Sequence, residues 1–346
     1  MNFSAIMGRI GKDLAIDLGT ANTLIHMAGE GLVCDEPSVV AIQERPPDGR
    51  RILAAGSAAK RMLGRTPRDI RAIRPLKEGV VADFEATEAM LRYFIRKVHK
   101  GKRLIRPRIV IGVPVGCTEV ERRAACEAGR AAGGSEVHLI EEPMAAAIGA
   151  GLPFAEPTGS MIVDIGGGTT EVAVISLGGV VYSRSVRVGG DAMDEAIIQY
   201  TKHKFNLLIG ERTAESVKMV LGSAYSAQDE PSRQMTVNGR DLIAGIPKTI
   251  QLCDDEIREA LNEPVEQVVQ AIRQGLENCP PELSADIADQ GVVLAGGGAL
   301  LGNLRERITH ETGLDVRLAP APLTAVADGA GRVLEELDLL KEVRVR

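Results

Sequence analysis

Apolar residues along the chain fall into short runs broken by small polar turns. The clearest run is Asp13 to Ile25: two apolar arms around the tip Asp17-Leu18-Gly19-Thr20-Ala21-Asn22, which predicts a β-hairpin. The pattern returns over Met161 to Ile175, around the tip Asp164-Ile165-Gly166-Gly167-Gly168-Thr169. Superposing the two aligns Asp17 with Asp164, Gly19 with Gly166 and Thr23 with Thr170. The repeat lies nearly half a chain away, so a supersecondary unit has been duplicated; this is not a short solenoid period.

Other segments extend the pattern. A strand is predicted over Ile109 to Pro114, then a charged helix over Glu119 to Ala132. A short strand over Val137 to Ile140 runs into a helix beginning near Pro143. In the second half a strand over Val292 to Ala295 ends on Gly296-Gly297-Gly298, and a helix is predicted over Leu300 to Thr312. Strands alternating with helices in each half predict an α/β fold. Two stretches interrupt it. One contains the turn Arg45-Pro46-Pro47-Asp48-Gly49, a hairpin tip. The other is helical and polar, with a loop around Asp229-Glu230-Pro231. The expected organisation is core lobe I at 13–32 and 77–149 with an inserted subdomain at 33–76. Core lobe II covers 150–189 and 246–335 with an insert at 190–245, and residues 336–346 form a tail.

Composition narrows the classes. With 346 residues and 45% hydrophobic content, the chain can bury more than one core. Its net charge of −6 gives no general attraction to nucleic acid or anionic lipid. Cys34, Cys117, Cys126, Cys253 and Cys279 include no CxxC pair, so neither a zinc site nor a disulfide framework is expected, and free thiols suit a reducing cytoplasm. No apolar stretch is long enough to span a bilayer. Arg92 to Arg108 is rich in basic residues, but a solvated helix end accounts for it. Tyr93 and Phe94 are adjacent, not interleaved with the cations, so nucleic-acid binding is not expected.

Two matched tips of aspartate, glycine and threonine suit a phosphate ligand. Small residues let backbone N–H groups approach phosphate oxygens. Thr20, Asn22, Thr169 and Thr170 add side-chain hydrogen bonds. Asp17 and Asp164, facing each other, would hold a hydrated magnesium ion, which needs only one or two carboxylates besides phosphates. Either tip alone reads first as a structural turn; the duplication, with the third glycine-rich tip at Gly296, favours nucleotide. The pattern G-x-x-x-x-G-K-[ST] is absent, so a P-loop is excluded.

These residues resemble the actin/Hsp70/sugar-kinase superfamily. Asp17 to Thr20 is similar to its first phosphate motif, Asp164 to Thr169 to its second and Gly296 to Gly298 to its adenosine motif. Within it the chain resembles the bacterial actins of the MreB family from about residue 13 to 335. The stretches that carry this are Asp17 to Leu24, Glu36 to Ala41, Ile73 to Leu76, Glu142 to Gly149 and Ser183 to Asp194. The resemblance implies an actin-like (ribonuclease H-like) fold: duplicated α/β lobes, two small inserted subdomains, and ATP with Mg2+ in the cleft between. It assigns Thr20, Ala21 and Asn22 to the phosphates from one lobe and Gly166, Gly167, Gly168 and Thr169 from the other. Gly19, in the first phosphate motif, also counts among the nucleotide-binding residues, and Gly296, Gly297, Gly298 and Ala299 hold the adenosine. Glu215 and Lys218 reach the ribose and base; their i, i+3 spacing shares a helix face, although an exposed ion pair is the plainer reading of the residues alone. Glu142 corresponds to the glutamate that orients water for hydrolysis, with Thr169 assisting; without the resemblance it reads as a helix-capping acid.

At the amino terminus, Phe3, Ile6, Met7 and Ile10 form one apolar stripe on a helix predicted over residues 1–12. Four such side chains yield at most about 6–12 kcal/mol when fully buried. Helix ordering consumes much of that, and Gly8 and Gly11 add to the cost. One copy is therefore expected to hold a membrane weakly and a filament firmly; docking on its own domain is the alternative. The resemblance implies a cytoskeletal ATPase that forms paired antiparallel filaments, peripheral on the inner face of the cell membrane. Its partners would be its own copies, the inner membrane surface and cell-wall elongation membrane proteins, with rod cell shape as the outcome. Two other activities share the superfamily. A sugar or acetate kinase would need an acceptor pocket and base, for which no constellation is found. An Hsp70-like chaperone ATPase would need a substrate-binding region, for which the sequence after the last matched segment is expected to be too short.

Overall fold

The computed structural model describes residues 12–45, 49–99, 106–226, 231–336, 339–340 and 343–345. In lobe I the chain lays down β1 (Leu14–Leu18), β2 (Asn22–Met27) and β3 (Gly31–Pro37) as an antiparallel meander. An excursion follows: β4 (Val40–Arg45), β5 (Gly49–Ala55), the single-turn α1 (Ser57–Lys60) and β6 (Ile70–Ile73). The small ribbon of β7 (Leu76–Lys77) and β8 (Val80–Val81) leads to α2 (Phe84–Val98), capped by Asp83, whose carboxylate accepts from Ala86 N at 3.0 Å. The lobe closes with β9 (Arg108–Val113), α3 (Glu119–Ala131), β10 (Glu136–Glu141) and α4 (Glu142–Ala150). Thr118 and Glu121 cap α3 reciprocally.

Lobe II repeats the plan. β11 (Ser160–Ile165), β12 (Thr170–Ser176) and β13 (Gly179–Val186) form the meander. The second excursion is α5 (Gly190–Phe205), β14 (Leu207–Leu208), α6 (Glu211–Leu221), β15 (Gln234–Asp241) and β16 (Pro247–Cys253). Then come α7 (Asp254–Glu277), α8 (Pro281–Gln290), β17 (Val292–Ala295), a 3-10 turn at Gly297–Leu300, α9 (Leu304–Thr312), β18 (Val316–Leu318) and α10 (Ala325–Glu335). The strand orders β3-β2-β1-β9-β10 and β13-β12-β11-β17-β18 are the same order met twice, hairpin strands antiparallel and the last two parallel to the first.

Every residue of β11 and β12 is buried, as expected of strands covered on both faces. Val163, Val172 and Val174 pack with Val268, Val269 and Ile272 of α7. Ile162, Ala173 and Ile175 on the other face join a core that also contains Ala15 and Val110 of lobe I. The layer between is α4 against α10. They cross at near backbone contact: a Cβ on Gly149 would lie 1.9 Å from Ala325 O, and one on Gly329 1.8 Å from Ala145 O. Only glycine fits there, and the crossing binds the lobes into one body around the cleft.

The structure corrects several boundaries. Residues 33–37 belong to β3 in the lobe I sheet, so the first insert begins after Pro37. The second insert is helical only as far as Leu221. Its remainder is the hairpin β15–β16, paired from Gln234↔Cys253 inward and extended by β14, and the boundary expected at 245 falls in its turn. The helix expected from Leu300 starts at Leu304, because Asn303 takes a left-handed conformation (φ 54°) after the 3-10 turn. The hairpin tip at Pro46–Asp48 and residues 227–230 of the second loop lie outside the described residues, as do Phe3, Ile6, Met7 and Ile10 of the N-terminal stripe. Among the described residues no helix is long and apolar enough to cross a membrane. In the tail, Leu340 is buried and Val345 N donates to Leu139 O at 2.9 Å, covering the open edge of β10.

Candidate functional site

The two predicted tips meet. A Cβ on Gly167 would lie 2.6 Å from Ala21 Cβ, and one on Gly168 2.6 Å from Thr20 Oγ1, so the loops approach as closely as glycine permits. Each tip is tied back by its second threonine. Thr23 shares a hydrogen bond with Ser38, whose hydroxyl donates to Gly19 O at 2.6 Å; Thr170 donates to Val188 O at 2.7 Å. The N-terminus of α5 locks the second loop, with Gly190 N donating to Gly166 O and Asp191 N to Gly167 O. From lobe I the turn Glu78–Gly79 closes the floor, Gly79 N donating to Thr20 Oγ1 at 2.8 Å. The result is a cleft of about 570 Å³, within the range of small-molecule and cofactor sites.

Asp17 and Asp164 both line this cleft. Burial, with Asp164 and Asp35 nearby, pushes the Asp17 carboxyl up to about 7. Burial alone does the same to Asp164. Neither has a cationic partner among the described residues, so a cation between them would relieve their cost. A hydrated magnesium ion needs only one or two carboxylates besides ligand oxygens, a demand this pair meets. Glu142, at the start of α4, is buried and lines the same wall. Its carboxyl is held well above the usual range, first by burial and then by Glu171, Asp17 and Asp164. Glu171, 1% exposed on β12, accepts from Val115 N at 2.9 Å.

Of the residues expected at the site, the cleft brings together Asp17, Gly19, Thr20, Ala21, Asn22, Glu142, Asp164, Gly166 to Thr169, Glu215, Lys218 and Gly296 to Gly298. Ala299 and Thr170 are the exceptions. Ala299 is 2% exposed and packs into the lobe II core, so only its glycine neighbours face the cleft. Thr170 is fully buried with its hydroxyl donated to Val188 O, so it is not available to a phosphate. Gly296 adopts φ 80° and a Cβ there would meet Ile165 O at 2.3 Å, so β17 turns sharply against β11. Lys218 is not free: it donates to Gly190 O at 2.7 Å and pairs with Asp194 at 2.9 Å. Burial raises Asp194 to about 6, against the pull of Lys218. At the far end, exposed Met219, Leu300 and Leu323 offer an apolar surface suited to a base.

Sequence reasoning missed Lys60, Arg74, Gly79 and Asp191 as cleft residues. Lone cations and a glycine in a two-residue turn carry no local signature. For Arg74 and Asp191 a signal did exist: both stand in stretches that carry the family resemblance, Ile73 to Leu76 and Ser183 to Asp194.

Comparison with known proteins agrees with this geometry. The cell shape-determining protein MreB of Escherichia coli (strain K12) is 56% identical over 334 residues, 96% of each chain. The cell shape-determining protein Mbl of Bacillus subtilis (strain 168) is 48% identical, covering 95% of this chain and 97% of its own. Among solved structures, MreB 5 of Spiroplasma citri bound to AMPPNP superposes with a TM-score of 0.87 at 35% identity, covering 95% of this chain and 97% of that one. The model of the MreB/Mbl protein family matches residues 11–342, and the chain belongs to that family.

Proposed function

We propose that the protein is an actin-like cytoskeletal ATPase that assembles into filaments on the inner face of the cell membrane and helps determine rod cell shape by organising cell-wall synthesis. The observation that carries this is the meeting of two duplicated tips around one cleft with paired carboxylates that have no cationic partner among the described residues. A solved relative of the same fold bound to AMPPNP supports the ligand class, and the names of the E. coli and B. subtilis relatives support the cellular role.

In this reading Thr20, Ala21 and Asn22 bind the phosphates from lobe I and Gly166 to Thr169 bind them from lobe II. Glu215 accepts from the ribose, Lys218 stiffens the wall behind it, and the apolar end takes the adenine. Asp17 and Asp164 would hold Mg2+ through its water shell; bound there, the ion neutralises phosphate charge. Glu142 sits in a dry wall with a raised proton affinity, the environment in which a carboxyl can take a proton from a water that it orients toward the terminal phosphate. Thr169 completes that wall. The N-terminal stripe of Phe3, Ile6, Met7 and Ile10 supplies the membrane contact, multiplied along the filament.

Sedimentation and electron microscopy of the full-length protein with ATP and Mg2+ test the assembly. The reading expects nucleotide-dependent polymers that co-sediment with liposomes, and loss of liposome binding, not of polymers, on deleting residues 1–11. Protein that stays monomeric under all nucleotide conditions overturns it.

A further inference from the structure

The two inserts touch across the mouth of the cleft, and the contact is electrostatic with a consistent sign. At these contacts the lobe I insert supplies the cations and the lobe II insert the carboxylates, whereas between the core lobes Arg187 and Glu78 pair in the opposite sense at 3.0 Å. Lys60 Nζ lies 2.8 Å from Glu215 Oε1, and Arg74 lies 3.5 Å from Glu211 and 4.0 Å from Asp191. Lys60 and Glu215 both line the cleft, and their side chains are only 28% and 33% exposed. Partly buried charges attract more strongly than solvated ones, and salt weakens them less.

Lys60 is held from behind. It ends α1, whose first residue, Ser57, donates from both N and Oγ to Glu36 Oε2 at 2.8 and 2.7 Å. Lys97 pairs with the other oxygen of Glu36, and Ala59 is fully buried against Val39 and Ala41. The ammonium therefore projects from a fixed base, which lowers the entropy lost in making the pair. On the opposite side Glu215 rides on α6, which Lys218 fastens to the start of α5. With Oε1 on the ammonium, Glu215 keeps Oε2 to accept from a sugar hydroxyl.

We propose that Lys60 is a nucleotide-retaining residue: it orients Glu215 toward the ribose and closes the exit, so a bound nucleoside triphosphate leaves only when the Lys60–Glu215 pair opens. This rests on the nucleotide reading above. The pair then governs dissociation more than association, since it forms over ligand already seated.

The test is a chase of α-phosphate-labelled ATP from dilute full-length protein with Mg2+, followed by filter binding at about 50 and about 500 mM salt, concentrations chosen to span strong and weak screening. Wild type should retain label and release it faster at high salt. Lys60→Met should raise the dissociation rate by about threefold to tenfold, the range an ion pair of this kind supplies, and flatten the salt response. Lys60→Arg, which keeps the charge, should stay near the wild-type rate. A wild type that retains no label overturns the nucleotide reading itself. Retention by wild type with no salt acceleration, or with Lys60→Met releasing at the wild-type rate and slope, overturns the retaining role alone.

Discussion

The hairpins β1–β2 and β11–β12 share their register, their glycine tips and their tied-back threonines, yet differ in one buried pair. Opposite Asp17 stands Leu24; opposite Asp164, at the equivalent position, stands Glu171. Both are buried, at 5% and 1% exposure. Lobe I thus backs its aspartate with hydrocarbon, and lobe II with a second carboxylate. Glu142, reaching in from α4, feels Glu171 more strongly than it feels either aspartate. Duplication built two matched acidic tips, and a single apolar-to-acidic difference adds Glu171 to the carboxylates that face Glu142.

That asymmetry can be broken. The largest effect is expected at Glu142. Glu142→Gln should leave ATP binding in place and slow phosphate release by about 100-fold or more, the usual loss when a positioned base is removed; single-turnover release measurements check it. Undiminished turnover would remove Glu142 from its role.

The two aspartates should by contrast behave alike. Asp17→Asn and Asp164→Asn each should weaken ATP binding in Mg2+ by roughly tenfold to 100-fold, the cost of losing one charged partner, and change it little in EDTA. A large loss for one and none for the other, in equilibrium titrations, would show that a single lobe holds the ion.

The pH dependence separates protonation from ligand binding. Asp164 carries a folded-state pKa of about 7 against an ordinary 3.8. Between those values the native state binds the proton and the unfolded chain does not. The contribution to stability is therefore complete below the ordinary value and is lost as pH rises through about 7, at about 1.4 kcal/mol per pH unit. Chemical denaturation of ligand-free Asp164→Asn against wild type should show the variant gaining relative stability from pH 5 to pH 8. A difference that is flat with pH would contradict the buried, partnerless carboxyl.

The glycines give the smallest contrast. A Cβ on Gly19 would lie 2.7 Å from Asn22 O, whereas one on Gly166 meets only Thr169 O at 3.5 Å. Gly19→Ala should cost about 1–3 kcal/mol from overpacking. Gly166→Ala should be neutral or stabilising by up to about 1 kcal/mol. Denaturant titrations without ligand distinguish them.

Most of this site was legible in the sequence because it is built from turns. Asp-x-Gly tips flanked by apolar arms announce themselves locally, and repeating them nearly half a chain apart fixes which lobe each belongs to. The 3-10 turn at Gly297–Leu300 was not legible: it depends on Asn303 taking a left-handed conformation, which residue type only permits. The hairpin β15–β16 was missed although Met235 and Val237 alternate toward Ile250 and Leu252, because neighbouring helices α5 and α6 dominate the polarity of the insert. Lys60 acquires meaning only when the two inserts face each other, and no pattern along one segment carries that, whereas Arg74 stands in the stretch Ile73 to Leu76 that carries the family resemblance. Ala299 followed its glycine neighbours by adjacency, but the tight 3-10 turn aims it into the core.

The central claim is that the paired acidic tips give up protons to solvent when a metal-bound nucleotide seats between them. Isothermal titration of the full-length protein with Mg-ATP at pH 7, in two buffers of different ionisation enthalpy, tests it directly. With Asp17 and Asp164 both near half-protonation, binding should release about one proton, and the observed heat should differ between buffers accordingly. Absence of binding heat, or heat identical in both buffers, would contradict it.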